Sequence, residues 1–469
     1  MQSEIILELQ LHGCFIHFTF NQFSMKKKIL YLALIVTLCN VSYKSFAQKD
    51  TSGVKKGWTL GLLPSVAFDS DLGFKYGGLV NFYNFGDGST YPDYKHSIYV
   101  EVARTTKGSG QNQLFFDSGH LFKGKNIRVT ADLSWLTEQA LDFYGFNGAE
   151  SRYIREYADM DSEAYISRMY YRHERKMLRA YADFQGNLKG KNLRWLLGGG
   201  YFNYQIGTVD IDRLNKGKDA DDLLPDTATL YDLYVDNNLI PADQADGGSL
   251  KLFKAGLIYD TRDIEANPSQ GIWSELLFVT APAFLGNIEN SFTKIAVTHR
   301  QYFTILKDRL TFVYRFGHQQ TIDGNAPFYY QPMMISSYSP STITEGLGGA
   351  KSLRGILRNR LVGDGFTYAN FEFRYKVLKF QLKKQNIYVA LNPFFDAGFI
   401  SKRMNVPTTG FGNGLDIHFK ETGEHLHYTG GCGLHIALNE NFVLAINYGR
   451  AFDRQDGKSG LYIGTNWLF

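Results

Sequence analysis

Cysteine and proline are scarce in these 469 residues, at 3 and 11, and a long apolar run is missing altogether. A membrane-spanning helix needs about 18 to 20 consecutive apolar residues, and the longest candidate is the short stretch 29–38. A helical membrane protein is thereby excluded, and any membrane role must use strands. The scarcity of cysteine excludes a disulfide framework: Cys14 and Cys39 lie in the amino-terminal segment, which leaves Cys432 alone. No Gly-x-Ser-x-Gly, His-Glu-x-x-His or phosphate loop occurs, so no catalytic set, cofactor or resident metal is expected and the chain is not read as an enzyme.

What is abundant is aromatic and glycine: 30 Tyr, 36 Phe and 47 Gly, with aromatics at 15 %. Mean hydropathy is nevertheless negative, at -0.25. Transmembrane barrels need aromatic girdles at both interfaces and tolerate glycine in turns and crowded lumen positions. A soluble β-sandwich array shares that composition, because regularly spaced strands suit both architectures.

The amino terminus bears on the compartment. Lys26, Lys27 and Lys28 make a positive segment, 29–38 an apolar one, and Ser45-Phe46-Ala47 a small-x-small cleavage site. Residues 25–47 are read as a signal peptide cleaved near Ala47, and 1–24 as a mis-called start upstream of Met25. The residues before Cys39 are not those of a lipoprotein site. Removing 1–47 takes away Lys26, Lys27, Lys28, Lys44, Glu4 and Glu8, and leaves 46 basic and 44 acidic side chains. So small a net charge argues against a nucleic-acid partner.

From residue 58 to 469 the chain reads as runs of about ten residues with period two, punctuated by Gly, Asn and Asp. Examples are 75–84, 96–105, 192–205, 251–260, 271–280, 292–304 and 309–317. In 370–377, Phe371, Phe373, Tyr375 and Val377 share one face, and Asn370, Glu372, Arg374 and Lys376 the other. In a membrane barrel the aromatic face meets lipid; in a soluble sandwich it is core. The 422 residues after the signal allow about 26 per strand and connection if there are sixteen strands, and any even count from 14 to 18 fits.

Segment 209–248 stands apart, with ten Asp at 210, 212, 219, 221, 222, 226, 232, 236, 243 and 246. It is read as an extracellular, solvated loop; a cation site is conceivable, but EF-hand spacing is absent. His425 and His427 could clip a metal from one strand face, yet no third ligand accompanies them. Cys432 shares a face with Leu434, Ile436 and Leu438 and is expected to meet lipid. No linker divides the chain after residue 57, so 48–57 is a short amino-terminal segment and 58–469 one domain.

Several motifs together resemble one family. Gly348-Gly349-Ala350-Lys351-Ser352-Leu353-Arg354-Gly355-Ile356, at the end of a long connection, resembles the inward-folded loop of the BamA/TamA-like outer-membrane superfamily, the bacterial surface antigen barrels. Leu353 and Ile356 depart conservatively from its Val-Arg-Gly-aromatic tip; Arg354 and Gly355 match it. Phe394-Phe395-Asp396-Ala397-Gly398 matches the family's Phe-x-Asp-x-Gly signature. Tyr259-Asp260-Thr261-Arg262-Asp263, followed by Asn267-Pro268-Ser269-Gln270-Gly271, resembles its Asp-x-Arg-Asp hairpin and Pro-x-x-Gly turn. Leu63-Pro64-Ser65-Val66 through Gly77-Gly78 resembles its first strands, and Phe143-Tyr144-Gly145 a strand start.

The resemblance implies an all-β fold, a single transmembrane antiparallel barrel of sixteen strands with that loop in the lumen, located in the outer membrane of a Gram-negative bacterium. Its partners would be outer-membrane lipids and lipopolysaccharide, the assembly machinery during biogenesis, and separate periplasmic proteins. An arginine pushed into a lumen must be paired, because an unpaired buried guanidinium is costly; Glu372 and Asp396 are the expected partners of Arg354. The chain end, with Tyr462, Trp467 and Phe469, resembles the outer-membrane targeting signal, and Trp467 and Phe469 are expected on the lipid face.

Family members that insert or export proteins carry periplasmic POTRA modules, for which residues 48–57 leave no room. Three classes therefore stand: an insertion or translocation barrel served by separate periplasmic partners, a passive pore or structural barrel, and an enzyme. A translocation barrel predicts a weak seam between first and last strands. A pore predicts a closed seam and an open, charged lumen, and an enzyme a convergent catalytic set at one rim.

Overall fold

The computed structural model describes residues 7–11, 14–18, 54–91, 93–122, 124–265, 267–337, 346–382, 385–411, 414–420, 422–438 and 442–469. The proposed signal segment 25–47 lies outside them. In the amino-terminal segment, β1 (Leu7–Leu11) and β2 (Cys14–Phe18) pair as a separate antiparallel sheet.

Sixteen strands follow and close into one antiparallel barrel, as expected. They are β3 (Trp58–Asp69), β4 (Gly73–Asn84), β5 (His96–Thr105), β6 (Ser109–Ser118), β7 (Ile127–Asp142), β8 (Arg172–Lys189), β9 (Leu193–Gly207) and β10 (Gly247–Asp260). Then come β11 (Gly271–Ala281), β12 (Phe292–Leu306), β13 (Leu310–Gly324), β14 (Gly365–Leu382), β15 (Gln385–Lys402), β16 (His427–Leu438), β17 (Phe442–Ala451) and β18 (Gly460–Thr465). Each pairs with its sequence neighbours, and β18 returns to β3. Among the described residues no helix is long and apolar enough to cross a membrane.

Period two decides which way each side chain points. On β14 the aromatic face is outward, with Phe371, Phe373, Tyr375 and Val377 all exposed, while Asn370, Glu372 and Arg374 are buried in the lumen. On β16, Cys432, Leu434, Ile436 and Leu438 are exposed on the outer face, the placement expected for Cys432. A fully polar inner face would be costly if dry, so inward groups pair across strands, as Arg179 with Asp132 (2.8 Å) and Lys254 with Asp183 (2.5 Å).

The four longest connections, 143–171, 208–246, 325–364 and 403–426, gather at one rim, the pattern in which long loops are extracellular and short turns periplasmic. The long loops fold into the mouth. Segment 209–248 carries three short helices, α1 (Ile211–Asn215), α2 (Leu230–Asp236) and α3 (Ala242–Ala245), in place of the continuous loop expected. A capping box between Thr229 and Asp232 starts α2. The segment is only half solvated: nine of its ten Asp are exposed, but Leu230, Tyr231, Tyr234, Leu239 and Ile240 are buried against the aromatic layer of loop 143–171. Composition alone merges its charged and apolar sides.

Phe143-Tyr144-Gly145 is not a strand start. β7 has already ended, Gly145 takes φ +84°, which a strand cannot continue, and both rings turn into the mouth. By contrast Leu63 to Val66 and Gly77-Gly78 do lie in the first two barrel strands.

Candidate functional site

The loop between β13 and β14 descends into the lumen and presents Arg354 to the inner face of β14 and β15. Arg354 Nε and Nη2 donate to the two oxygens of Asp396, each at 2.9 Å, and the Arg354 backbone N–H adds a third bond at 3.1 Å. Nη1 donates to Glu372 at 2.8 Å. All three side chains are essentially sealed from solvent, at 1 %, 0 % and 0 % exposure. The fork geometry of arginine serves both carboxylates at once, which a lysine could not do.

The Phe-x-Asp-x-Gly spacing has a direct reading here, since alternate residues share the inner face. The guanidinium lies 3.5 Å from the ring centroid of Phe394, Asp396 clamps it, and Gly398 leaves room for Leu347 of the loop, whose Cδ1 stands 3.0 Å from where a Cβ would sit. Asn370, the register partner of Asp396, donates to the Ser352 carbonyl (2.7 Å) and accepts from Arg315 Nε (2.8 Å). Glu372 also accepts from Arg374 Nε at 3.1 Å, so two guanidiniums share it.

Gly355 has φ +101°, and a Cβ there would meet the backbone of Gly449 and Arg450 on β17 at 2.5 and 2.6 Å. Only glycine permits so close an approach at that φ. Its N–H donates to the Tyr462 hydroxyl at 3.1 Å, which ties the loop tip to the last strand.

Two further loop arginines belong to no motif that the sequence reading singles out. Arg358 bonds Asp142 (2.9 Å) and Glu138 (2.5 Å) on β7. Arg360 is fully buried and donates to the carbonyls of Gln455, Gly148 and Ser151 at 2.7 to 3.1 Å. The one signal that could have found them is their basic character two and four residues beyond Ile356, in Leu357-Arg358-Asn359-Arg360.

Asp260, Arg262 and Asp263 form a separate cluster at the short-turn rim. Arg262 engages both oxygens of Asp260 at 3.0 Å and stacks 4.2 Å from Trp273. Asp263 accepts backbone N–H groups of Ile264 and Ser269 and the Ser269 hydroxyl. Burial opposes its charge, but the Ser269 hydroxyl and these N–H groups hold its carboxyl below the usual range.

The chain end departs from the expected lipid-facing placement. β18 stops at Thr465, Asn466 takes φ +69°, and that left-handed residue breaks the alternation and turns the tail inward. Trp467 and Phe469 are consequently 6 % and 8 % exposed. Trp467 Nε1 donates to Asn267 (2.9 Å), in the Pro-x-x-Gly turn, and Arg374 sits 4.2 Å over its ring. The Phe469 ring packs with Tyr302 and Val313, and its main-chain oxygen accepts from Arg374 Nη2.

The seam is short. β18 and β3 register through two pairs, Tyr462 with Asp69 and Ile463 with Phe68, helped by Ser70 and Leu461. β9 and β10 register from Gly247 with Gln205 to Tyr259 with Leu193. Among the described residues, the free edge of β3 from Trp58 to Ala67 has no strand partner on that side. His427 is engaged by Asp456 (2.6 Å) and Glu424 (3.4 Å), while His425 lies beside it on the exposed side; no group of three metal-binding side chains occurs among the described residues.

Residues 96–466 match the model of the Omp85 superfamily domain. Among solved structures the chain is similar to BamA from Haemophilus ducreyi lacking POTRA domains 1-3, at 14 % identity over 88 % of this chain and 71 % of that one, with a TM-score of 0.51. It is also similar to CdiB from Escherichia coli, at 12 % identity over 86 % of this chain, with a TM-score of 0.50. The chain spans 62 % of CdiB's length. These likenesses concern the fold. No curated protein sequence matches.

Proposed function

Since the chain belongs to the Omp85 superfamily of outer-membrane β-barrels, we propose that it inserts or translocates proteins at the outer membrane of a Gram-negative bacterium, with the β3–β18 seam as the part of the wall that opens. The observation that carries this reading is the seam itself, with two register pairs where neighbouring strands run paired along their length. A passive pore would want the seam closed and the lumen open; here the seam is short and the lumen holds the loop. Arg354, Glu372 and Asp396 act in this reading as a lock that fixes the loop, and Gly355 relays its position to β18 through Tyr462. Substrate capture falls to separate periplasmic proteins, and Tyr462, Trp467 and Phe469 serve in biogenesis as the signal read by the assembly machinery.

The test is a reversible seam lock. Phe68 and Ile463 are register partners, and opposed residues of an antiparallel pair lie within disulfide reach. In a Cys432→Ser background, Phe68→Cys with Ile463→Cys should cross-link on oxidation, arrest delivery of client proteins to the outer membrane, and release them on reduction. Undiminished delivery with the seam quantitatively cross-linked would refute the reading.

A further inference from the structure

The connection between β11 and β12 turns away from the mouth that the other long-rim loops fill. β11 pairs with β10 from Asp260 with Trp273 only as far as Phe253 with Thr280, whereas β10 continues along β9 to Gly247. That leaves the edge of β10 beyond Phe253 without a strand on the β11 side, and Asn287 fills the place. Its Oδ1 accepts the Lys251 N–H at 3.0 Å, and its Nδ2 donates to the carbonyls of Lys251 (2.9 Å) and Pro282 (3.0 Å). Asn287 is 4 % exposed, and Gly286 makes the reversal at φ +91°. The amide thus pins the loop sideways along the barrel wall.

What the pinned loop presents is apolar. Phe284 and Ile288 are 80 % and 78 % exposed, the highest values of any large apolar side chain among the described residues. Phe284 stands 6.4 Å from the ring of Phe253, whose outward face continues with Leu257 on β10 and Phe278 on β11 into the lipid-facing band. Lys251 shares the outward face of β10 one position closer to the rim, and no carboxylate lies within ion-pair distance of it among the described residues. An apolar surface continuous with the lipid band, capped by an outward cation on the rim side, matches the order acyl chain then phosphate of an outer-leaflet lipid.

We propose that residues 282–291 form an interfacial foot: Phe284 and Ile288 enter the acyl region of the outer leaflet, and Lys251 takes the phosphate of the same lipid layer. The foot belongs to the barrel's outer surface and stands independently of the protein-translocation reading. It sets the depth and rotation of the β9–β12 side of the wall in the membrane.

The experiment uses the full chain with Cys14, Cys39 and Cys432 replaced by Ser, reconstituted in phosphatidylcholine vesicles containing diphosphoryl lipid A. A nitroxide is placed at Phe284→Cys, at Phe253→Cys in the lipid band, or at Asp221→Cys in the acidic loop. Collision with oxygen against a water-soluble nickel chelate should rank position 284 with 253; ranking with 221 overturns the proposal. Lys251→Gln should reduce the diphosphoryl lipid A retained through detergent washing at least several-fold and leave retention of the dephosphorylated lipid unchanged. Equal retention of the diphosphoryl lipid by Lys251→Gln and the parent, both shown to be folded by heat-modifiable migration, removes Lys251 from the site.

Discussion

Arg354 and Asp396 are joined by three hydrogen bonds, because both the fork of the guanidinium and the backbone N–H of the same residue converge on one carboxylate. Side chain and main chain of the loop tip are thereby fixed together to β15. Removing the side chain as Arg354→Ala leaves Glu372 and Asp396 buried without it, a loss of about 3 to 5 kcal/mol by the general penalty for breaking a buried pair. Single-channel recording should show more frequent and more variable openings in Arg354→Ala than in the parent. Arg354→Lys keeps the charge without the fork and should fall between the two.

Gly355 offers a test of position without touching any charge. Alanine at φ +101° meets the β17 backbone at 2.5 Å and should cost about 1 to 3 kcal/mol in strain and overpacking. The expected readout is a lower heat-modifiability temperature together with loss of protection of the loop tip from added protease. Gly449→Ala, which opposes it from β17, should reproduce the effect.

The chain end separates delivery from packing. Asn267→Ala removes the acceptor of the Trp467 indole and should cost about 1 kcal/mol, with normal amounts of barrel reaching the outer membrane. Deleting Phe469 should lower the amount delivered, measured by surface labelling of intact cells. If both variants reach the membrane in equal amount, the terminal residues pack the lumen and carry no signal.

The rim turn should respond to acid. The Asp263 carboxyl is held below its usual range in the folded chain, so its contribution is complete above the unfolded value near 3.9 and disappears as pH falls through the lower folded value. Urea midpoints measured from pH 6 down to pH 3 should decline more steeply for the parent than for Asp263→Asn.

The strands were legible because alternation is a local property: the faces of β14 follow from eight consecutive residues, whereas Phe394, Asp396 and Gly398 were legible through the family signature they match. The partners of Arg354 were legible for a different reason: a buried guanidinium needs acceptors, and Glu372 and Asp396 are carboxylates on the motif strands. Arg358 and Arg360 were not, since nothing local distinguishes a loop arginine aimed into a lumen from one in water; their carboxylates and carbonyls come from β7 and from loops more than ninety residues away. Trp467 and Phe469 lie on the face opposite to the one alternation predicts, because the left-handed backbone of Asn466 cancels it. In the acidic segment composition averages two sides, nine of its ten aspartates outward and Tyr231 and Tyr234 inward.

The three arginines of the lumen loop reach different supports: Arg354 the β14–β15 wall, Arg358 β7, and Arg360 the loops 143–171 and 452–459. They work as tie rods, holding one arc of the hoop at fixed spacing from the opposite one. A hoop braced in that way cannot widen evenly. Under the proposed opening at the β3–β18 joint, the arc from β3 to β6 is the part expected to yield, as a four-stave leaf on the β6–β7 pairing, while the braced arc keeps its shape.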